Sequence, residues 1–178
     1  MRFADGIRLQ VANVNAPAQV VLSGHRPAVQ TATAMAKARF GVRRVIWLPV
    51  SAPFHCSLMA PAAARVKEAM EGVSVSSLTV PLLSNGEMVQ DAARVRSLLI
   101  ERITQPVLFH VSLLNSQTIL ADRPTSYVEL GAGSVLSGLA SKFAESETLD
   151  VPAVALPTYD AVRHFLAACQ APPSARAE

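Results

Sequence analysis

Short apolar runs, each about the length of one β-strand, alternate from Val42 onward with stretches of helical periodicity, and no other feature constrains the fold as much. The runs cover residues 42–50, 80–84, 127–130 and 154–156. Between them, Leu58, Ala62, Val66 and Ala69 recur at helical spacing until Gly72. Val95, Leu98, Leu99 and Ile103 form a second helical face, with Asp91 as its cap and Pro106 closing it. Residues 108–120 give a third stretch, Val135, Leu139 and Phe143 a fourth, and Asp160 caps a last one. Single strands separated by helices predict a parallel α/β sheet with helices on both faces. The run at 80–84 is short and reads as a buried strand.

Upstream the order differs. Residues 11–14 and 19–22 are β-favouring runs joined by a turn at Asn15-Ala16-Pro17-Ala18. A helix follows, with Pro27 in its first turn, Val29, Ala32, Ala36 and Phe40 on one face, and Gly41 as its stop. Strand, strand, helix and the strand at 42–50 make what remains of a split βαβ motif that has lost its first strand and helix.

Composition sets the outer bounds. At 178 residues, 51% apolar and 16% charged, the chain reads as ordered and globular, one domain or one domain with a small subdomain. Pro, Ser, Asn or Arg interrupts every apolar stretch short of a membrane span, and MRFADGIRLQ lacks the apolar core of a secretory signal. A net charge of +3, scattered and without an aromatic-plus-basic stripe, argues against nucleic acid as a partner. Arg39, Arg43 and Arg44 form a small basic cluster that reads as a solvated edge, with an acidic partner as the alternative. Cys56 and Cys169 lie far apart with no CxxC spacing, which points to a reduced compartment. Four histidines and two cysteines without ligand spacing predict no metal site.

His55 stands out chemically. It follows the apolar run at 42–50 through a bend stiffened by Pro53 and precedes a helix. Ligands of parallel α/β sheets bind outside the carboxyl ends of strands, where a histidine can act as general base and then general acid near neutral pH. A lone histidine is more often a residue without such a role, so its neighbours decide the matter. Cys56 beside it is no catalytic partner, because adjacent residues rarely aim side chains at each other.

Those neighbours, LPVSAPFHCSLMAPAAARV, resemble a signature of the malonyl-CoA:acyl-carrier-protein acyltransferases and of the acyltransferase domains of fatty-acid and polyketide synthases. His55-Cys56-Ser57-Leu58-Met59, with Pro61 two residues on, fits the family's histidine and the x-x-x-Met opening of its next helix. Three further segments agree in order. The run from Asn13 to Gly24 looks like the family's N-x-N-x-P-x-Q-x-V-x-S-G hairpin. Val80-Pro81-Leu82-Leu83-Ser84-Asn85 is similar to its P-V-x-S-N strand. The stretch from Tyr127 to Leu139 resembles its E-x-G-P-G-x-x-L-x-G-L strand and turn, with Ala132 in place of the usual Pro. Gly131-Ala132-Gly133 is better read as that turn than as a dinucleotide loop, for want of a third spaced glycine and an acidic ribose partner.

The resemblance, which runs from about Val11 to Phe143, implies the C-terminal part of an acyltransferase fold. Residues 1–46 would be part of a ferredoxin-like small subdomain, 47–170 the C-terminal part of the large α/β subdomain, and 171–178 a loose tail. It implies ping-pong transfer of a malonyl group from malonyl-CoA to the phosphopantetheine thiol of acyl carrier protein in fatty-acid biosynthesis, with no bound cofactor. His55 would be the base for a serine nucleophile, oriented by the main-chain carbonyl of Arg102, where the family often has Gln. Asn15 matches an asparagine near the acyl site, although Asn before Ala-Pro also makes a good turn residue. Phe54, just before the histidine, tends to accompany malonyl selectivity.

The family's nucleophile elbow is not in this sequence. No two of the eight glycines are four positions apart, so no G-x-S-x-G exists. The family's G-Q-G-S-Q loop and the arginine that pairs with the malonate carboxylate are also missing, and the chain reads as starting inside the small subdomain. The readings that follow are a partial acyltransferase, one half of a split enzyme that meets a separate serine-bearing half, and a non-catalytic remnant that binds acyl carrier protein. A fragment of a polyketide-synthase acyltransferase domain is a further alternative, although no second domain follows to mark a multidomain synthase. The expected compartment is the cytoplasm, with a mitochondrial or plastid interior as the alternative.

Overall fold

A computed structural model describes residues 6–121 and 125–170, grouped into two compact units that divide between Ser116 and Gln117. The expected tail at 171–178 lies outside the described residues.

The first unit opens with an antiparallel hairpin, β1 (Leu9–Ala16) and β2 (Gln19–Gly24), closed at Pro17-Ala18. Its register runs from Leu9 opposite Gly24 to Ala16 opposite Gln19, with irregularities between Val11 and Asn13 and between Val14 and Ala16. Gly24 is needed where it stands, because a Cβ there would lie 2.3 Å from the Arg8 carbonyl oxygen. Helix α1 (Arg26–Phe40) follows, with Pro27 in the first turn where its missing N–H costs nothing. Gly41 ends it at φ 64° with its N–H on the Ala36 carbonyl, a left-handed stop that glycine adopts without Cβ strain. The buried residue of α1 is Ala28; of the expected apolar face, Val29, Ala32 and Ala36 are half-buried and Phe40 is 78% exposed.

Residues 41–50 correct the sequence reading. The expected strand is not formed: this stretch carries neither helix nor strand. β-propensity stabilises a strand only against a neighbouring one, and none of the described residues pairs with this segment. Val42, Ile46, Trp47, Leu48 and Val50 stay exposed, although Trp47 stacks against the Arg26 guanidinium 5.8 Å from its ring centre. Val45 and Trp47 line a shallow cleft with Gln30, Thr33, Ala34 and Lys37 of α1.

A 3-10 turn at Ser57–Met59 leads into α2 (Ala60–Ala69), and a second at Met70–Gly72 ends it. The run at 80–84 becomes a short edge strand, β3 (Leu82–Ser84), paired antiparallel with an unexpected β4 (Glu87–Val89). Pro81 has no N–H to give a ladder, and Val80 and Leu82 are exposed, so the strand is not the buried one expected. Asn85 (φ 51°) and Gly86 (φ 84°) both take left-handed angles at the tip, as a two-residue I′ hairpin turn requires. Helix α3 (Ala92–Glu101) is capped by Asp91, whose Oδ1 accepts the Arg94 N–H at 2.9 Å. Val95 and Leu98 of α3 bury against Val89, with Val75 and Leu78 packed beside them, while Leu99 turns outward. Arg96 donates to the Met70 and Val73 carbonyls and so ties α3 to the end of α2. Arg94 bridges Glu87 and Glu101. Helix α4 is Phe109–Leu120.

The second unit contains the one parallel strand pair among the described residues, β5 (Tyr127–Leu130) with β6 (Ala153–Leu156). Helix α5 (Val135–Ser146) connects them and buries Leu139, Ala140, Phe143 and Ala144, while Val135 is exposed. The Glu129 carboxylate accepts the Ser137 N–H and Oγ–H, both at 2.8 Å, and the Leu136 N–H at 3.2 Å. Those first-turn amides have no partner within the helix, and a carboxylate there is favoured by the helix dipole. The Ser137 N–H first, then its hydroxyl and the neighbouring amides, hold the Glu129 pKa below the usual carboxylate range. Helix α6 (Tyr159–Gln170) is capped by Thr158, whose Oγ1 accepts the Ala161 N–H at 3.2 Å, so Asp160 lies in the first turn and is not the cap. Strands and helices alternate in this second unit as an α/β fold requires, although the parallel pairing is narrower than the sequence suggests. Among the described residues no helix is long and apolar enough to cross a membrane.

Candidate functional site

His55 sits in the bend between the unpaired segment and the 3-10 turn at Ser57–Met59, at φ 55°. Left-handed angles are uncommon for a residue with a Cβ and cost on the order of 1–3 kcal/mol, so they persist only where neighbours over-determine them. The preceding backbone is tightly turned, with Phe54 N–H on the Ala52 carbonyl at 2.9 Å. The half-buried imidazole reaches 47 residues along the chain and places Nδ1 2.7 Å from the main-chain carbonyl oxygen of Arg102.

The chemistry of that contact is decided by the carbonyl, which only accepts. Nδ1 must therefore carry the hydrogen, which leaves the Nε2 lone pair free to take a proton. The carbonyl is available because Arg102 is the C-cap of α3, where the last carbonyls have no intrahelical donor. The Arg102 guanidinium takes no part in the contact. Its Nη1 donates to Gln105 Oε1 at 3.3 Å and its Nε is buried with no hydrogen-bond partner among the described residues.

Strand β1 holds both sides of this meeting. On one side, Val107 N–H donates to Ala12 O at 2.8 Å and Val14 N–H to Val107 O at 2.9 Å, a single parallel bridge centred on Asn13. On the other, Gln10 Oε1 accepts the Ser57 N–H at 2.7 Å and the Cys56 thiol at 3.1 Å. Cys56 is completely buried. The 106–108 segment is held a second time by Asn85, whose Nδ2 donates to Pro106 O at 2.8 Å and whose Oδ1 accepts Leu108 N–H at 2.7 Å. Asn115 Nδ2 on Gly86 O, at 2.8 Å, and Gly86 N–H on Ser112 Oγ, at 3.3 Å, dock the same turn on α4.

Of the residues singled out by sequence, His55 and Arg102 are brought into contact. Phe54 is exposed beside the histidine. Asn15 lies in β1, half-buried and without a side-chain hydrogen bond among the described residues, and nothing joins it to His55. Gln10 and Asn85 were not singled out for the site. The Asn85-Gly86 dipeptide is a strong hairpin signal that could have exposed the second, whereas a glutamine within a short strand carries no such mark. Among the described residues no cluster of three or more His, Cys, Asp or Glu could hold a metal ion.

No protein-family model matches the chain. It is 38% identical over 140 residues to a malonyl CoA-acyl carrier protein transacylase of Bacillus subtilis, which covers 78% of this chain and 43% of that protein. Its fold superposes on the crystal structure of an acyl-carrier-protein-S-malonyltransferase from Bartonella henselae with a TM-score of 0.77 at 35% identity, over 89% of this chain and 49% of that one. A malonyl-transacylase solved in complex with a type II PKS acyl-carrier protein matches with a TM-score of 0.80 at 29% identity, over 92% of this chain and 51% of that one. The chain thus spans about half the length of the relatives it matches.

Proposed function

We propose, starting from a chain related in sequence and fold to malonyl CoA-acyl carrier protein transacylases over about half their length, that it supplies the base-bearing half of a malonyl-transfer site. The observation that carries this is the contact between His55 Nδ1 and Arg102 O, which fixes the ring as the tautomer with a basic Nε2. In the transfer, Nε2 takes the proton of a serine hydroxyl as its oxygen attacks the thioester carbonyl of malonyl-CoA. The C–S bond then breaks, and the departing CoA sulfur takes the proton back from the imidazolium. The second half runs in reverse. His55 accepts the proton of the phosphopantetheine thiol of acyl carrier protein, the sulfur attacks the malonyl ester, and the serine oxygen leaves reprotonated.

The serine must come from a segment with the G-x-S-x-G elbow, which this sequence does not contain. A separate serine-bearing half, or the remainder of a longer chain, fills that role. Asn15 and Phe54 belong to the acyl side of this reading, with the Phe54 ring disfavouring a methyl branch. We assign the boundary between the small subdomain and the large one to residue 46, within the segment that lacks regular structure. The reaction takes place in the cytoplasm on this reading, with a mitochondrial or plastid interior as the alternative, and fatty-acid synthesis as its pathway.

The second reading is a non-catalytic protein that binds acyl carrier protein. Arg39, Arg43 and Arg44 favour it, because all three are exposed at and just beyond the end of α1. A transfer assay separates the two. The purified chain is mixed with radiolabelled malonyl-CoA and holo-acyl carrier protein, with and without an added serine-bearing half, and His55→Ala serves as control. Transfer that needs both the added half and His55 supports the first reading. Carrier binding that survives His55→Ala, with no transfer under either condition, supports the second.

A further inference from the structure

We propose that Gln10 is the positioning residue for His55, a role that rests on reading His55 as the base but is tested independently of it. His55 occupies a left-handed backbone angle that its own preference opposes. One restraint on it is its ring contact with Arg102 O, and the other comes from the two residues that follow. The Gln10 side-chain oxygen binds both of them, at 2.7 Å to the Ser57 amide and 3.1 Å to the Cys56 thiol. Both partners are donors, so the amide must present its oxygen and not its nitrogen to the loop. The Ser57 amide is also a first-turn donor of a short 3-10 helix, with no partner inside it. Gln10 satisfies that donor and pins the chain two residues beyond the imidazole. The anchor itself is fixed, because Gln10 pairs with Ser23 in the hairpin and Ala12 and Val14 grip Val107 farther along the same strand. A single strand thus holds the loop that carries the imidazole and the segment just past the carbonyl that orients it.

The test uses the whole chain with ¹⁵N-labelled histidine and amides. Gln10→Met keeps length and packing but removes the acceptor, while Gln10→Glu keeps an acceptor of the same reach. In Gln10→Met the Ser57 amide should exchange about tenfold faster or more, as expected for loss of one hydrogen bond. The His55 ring shifts should also move from a dominant Nδ1–H form toward a mixture of tautomers. Gln10→Glu should restore both signals, which a merely structural defect would not predict. Unchanged ring shifts in a folded Gln10→Met protein would overturn the proposal. So would a Ser57 amide that is already unprotected in the unsubstituted chain, a result that stands even where Gln10→Met does not fold. None of these readouts depends on malonyl transfer, so a negative transfer assay leaves the Gln10 result standing.

Discussion

His55 meets Arg102 through a main-chain atom that no substitution removes, the carbonyl oxygen, 2.7 Å from the imidazole Nδ1. The Arg102 side chain is therefore dispensable for orienting the ring, and its buried Nε lacks a partner among the described residues. Arg102→Gln is expected to leave the His55 ring-nitrogen shifts in place and to change unfolding free energy by no more than about 1 kcal/mol. Urea titration and ¹⁵N spectra measure the two effects. A lost tautomer preference would mean that the guanidinium holds the ring.

The left-handed backbone at His55 gives a second expectation. Both His55→Ala and His55→Gly remove the imidazole, but only glycine relieves the strain at φ 55°. His55→Gly should be the more stable of the two by about 1 kcal/mol in denaturant unfolding. Equal stabilities would show that the angle costs the loop nothing.

Asn85 clamps Pro106 and Leu108 through both ends of its amide from a left-handed turn position. Asn85→Ala removes two part-buried hydrogen bonds and a residue suited to that angle, and should cost roughly 2–4 kcal/mol. Faster amide exchange at Leu108 should accompany the loss. A drop in stability with Leu108 still protected would place the effect in the turn alone.

Glu129 supplies a pH dependence. Its folded pKa is held below its unfolded value, chiefly by the Ser137 N–H. The stability it contributes is therefore fully present above the unfolded carboxylate range and is lost as pH falls through the lower folded value. Glu87, held down by its hydrogen bond to Arg94, acts in the same direction, so the informative quantity is a difference between proteins. Between pH 7 and pH 3 the thermal midpoint should fall further in the unsubstituted chain than in Glu129→Gln. Parallel curves would remove Glu129 from the account.

Most of the local structure could be read from residues because it is determined locally. Pro27 and Gly41 bracket α1, Asp91 caps α3, and the turn at Pro17-Ala18 closes the first hairpin. The contact between His55 and Arg102 lay beyond pattern alone. No periodicity links positions 47 apart, and only the family resemblance suggested that carbonyl. The misplaced strand at 42–50 has the opposite origin. Its residues favour a sheet, but pairing belongs to the neighbour as much as to the strand. Residue type does not distinguish Thr158 as the α6 cap, because Asp160, two residues later, is an equally good capping type. Gln10 left no trace in the sequence, since its role depends on which side of β1 it faces.

That dependence on facing gives the first hairpin a second meaning. Successive strand residues point to opposite sides, so sliding β1 by one position against β2 would turn Gln10 away from Ser57 and offer Leu9 or Val11 in its place. Gly24, pressed against the Arg8 carbonyl, and the two irregularities along β1 each help to fix one alignment. The hairpin thereby works as a gauge block: the precision with which two short strands count their residues is passed on to the direction in which a distant imidazole points.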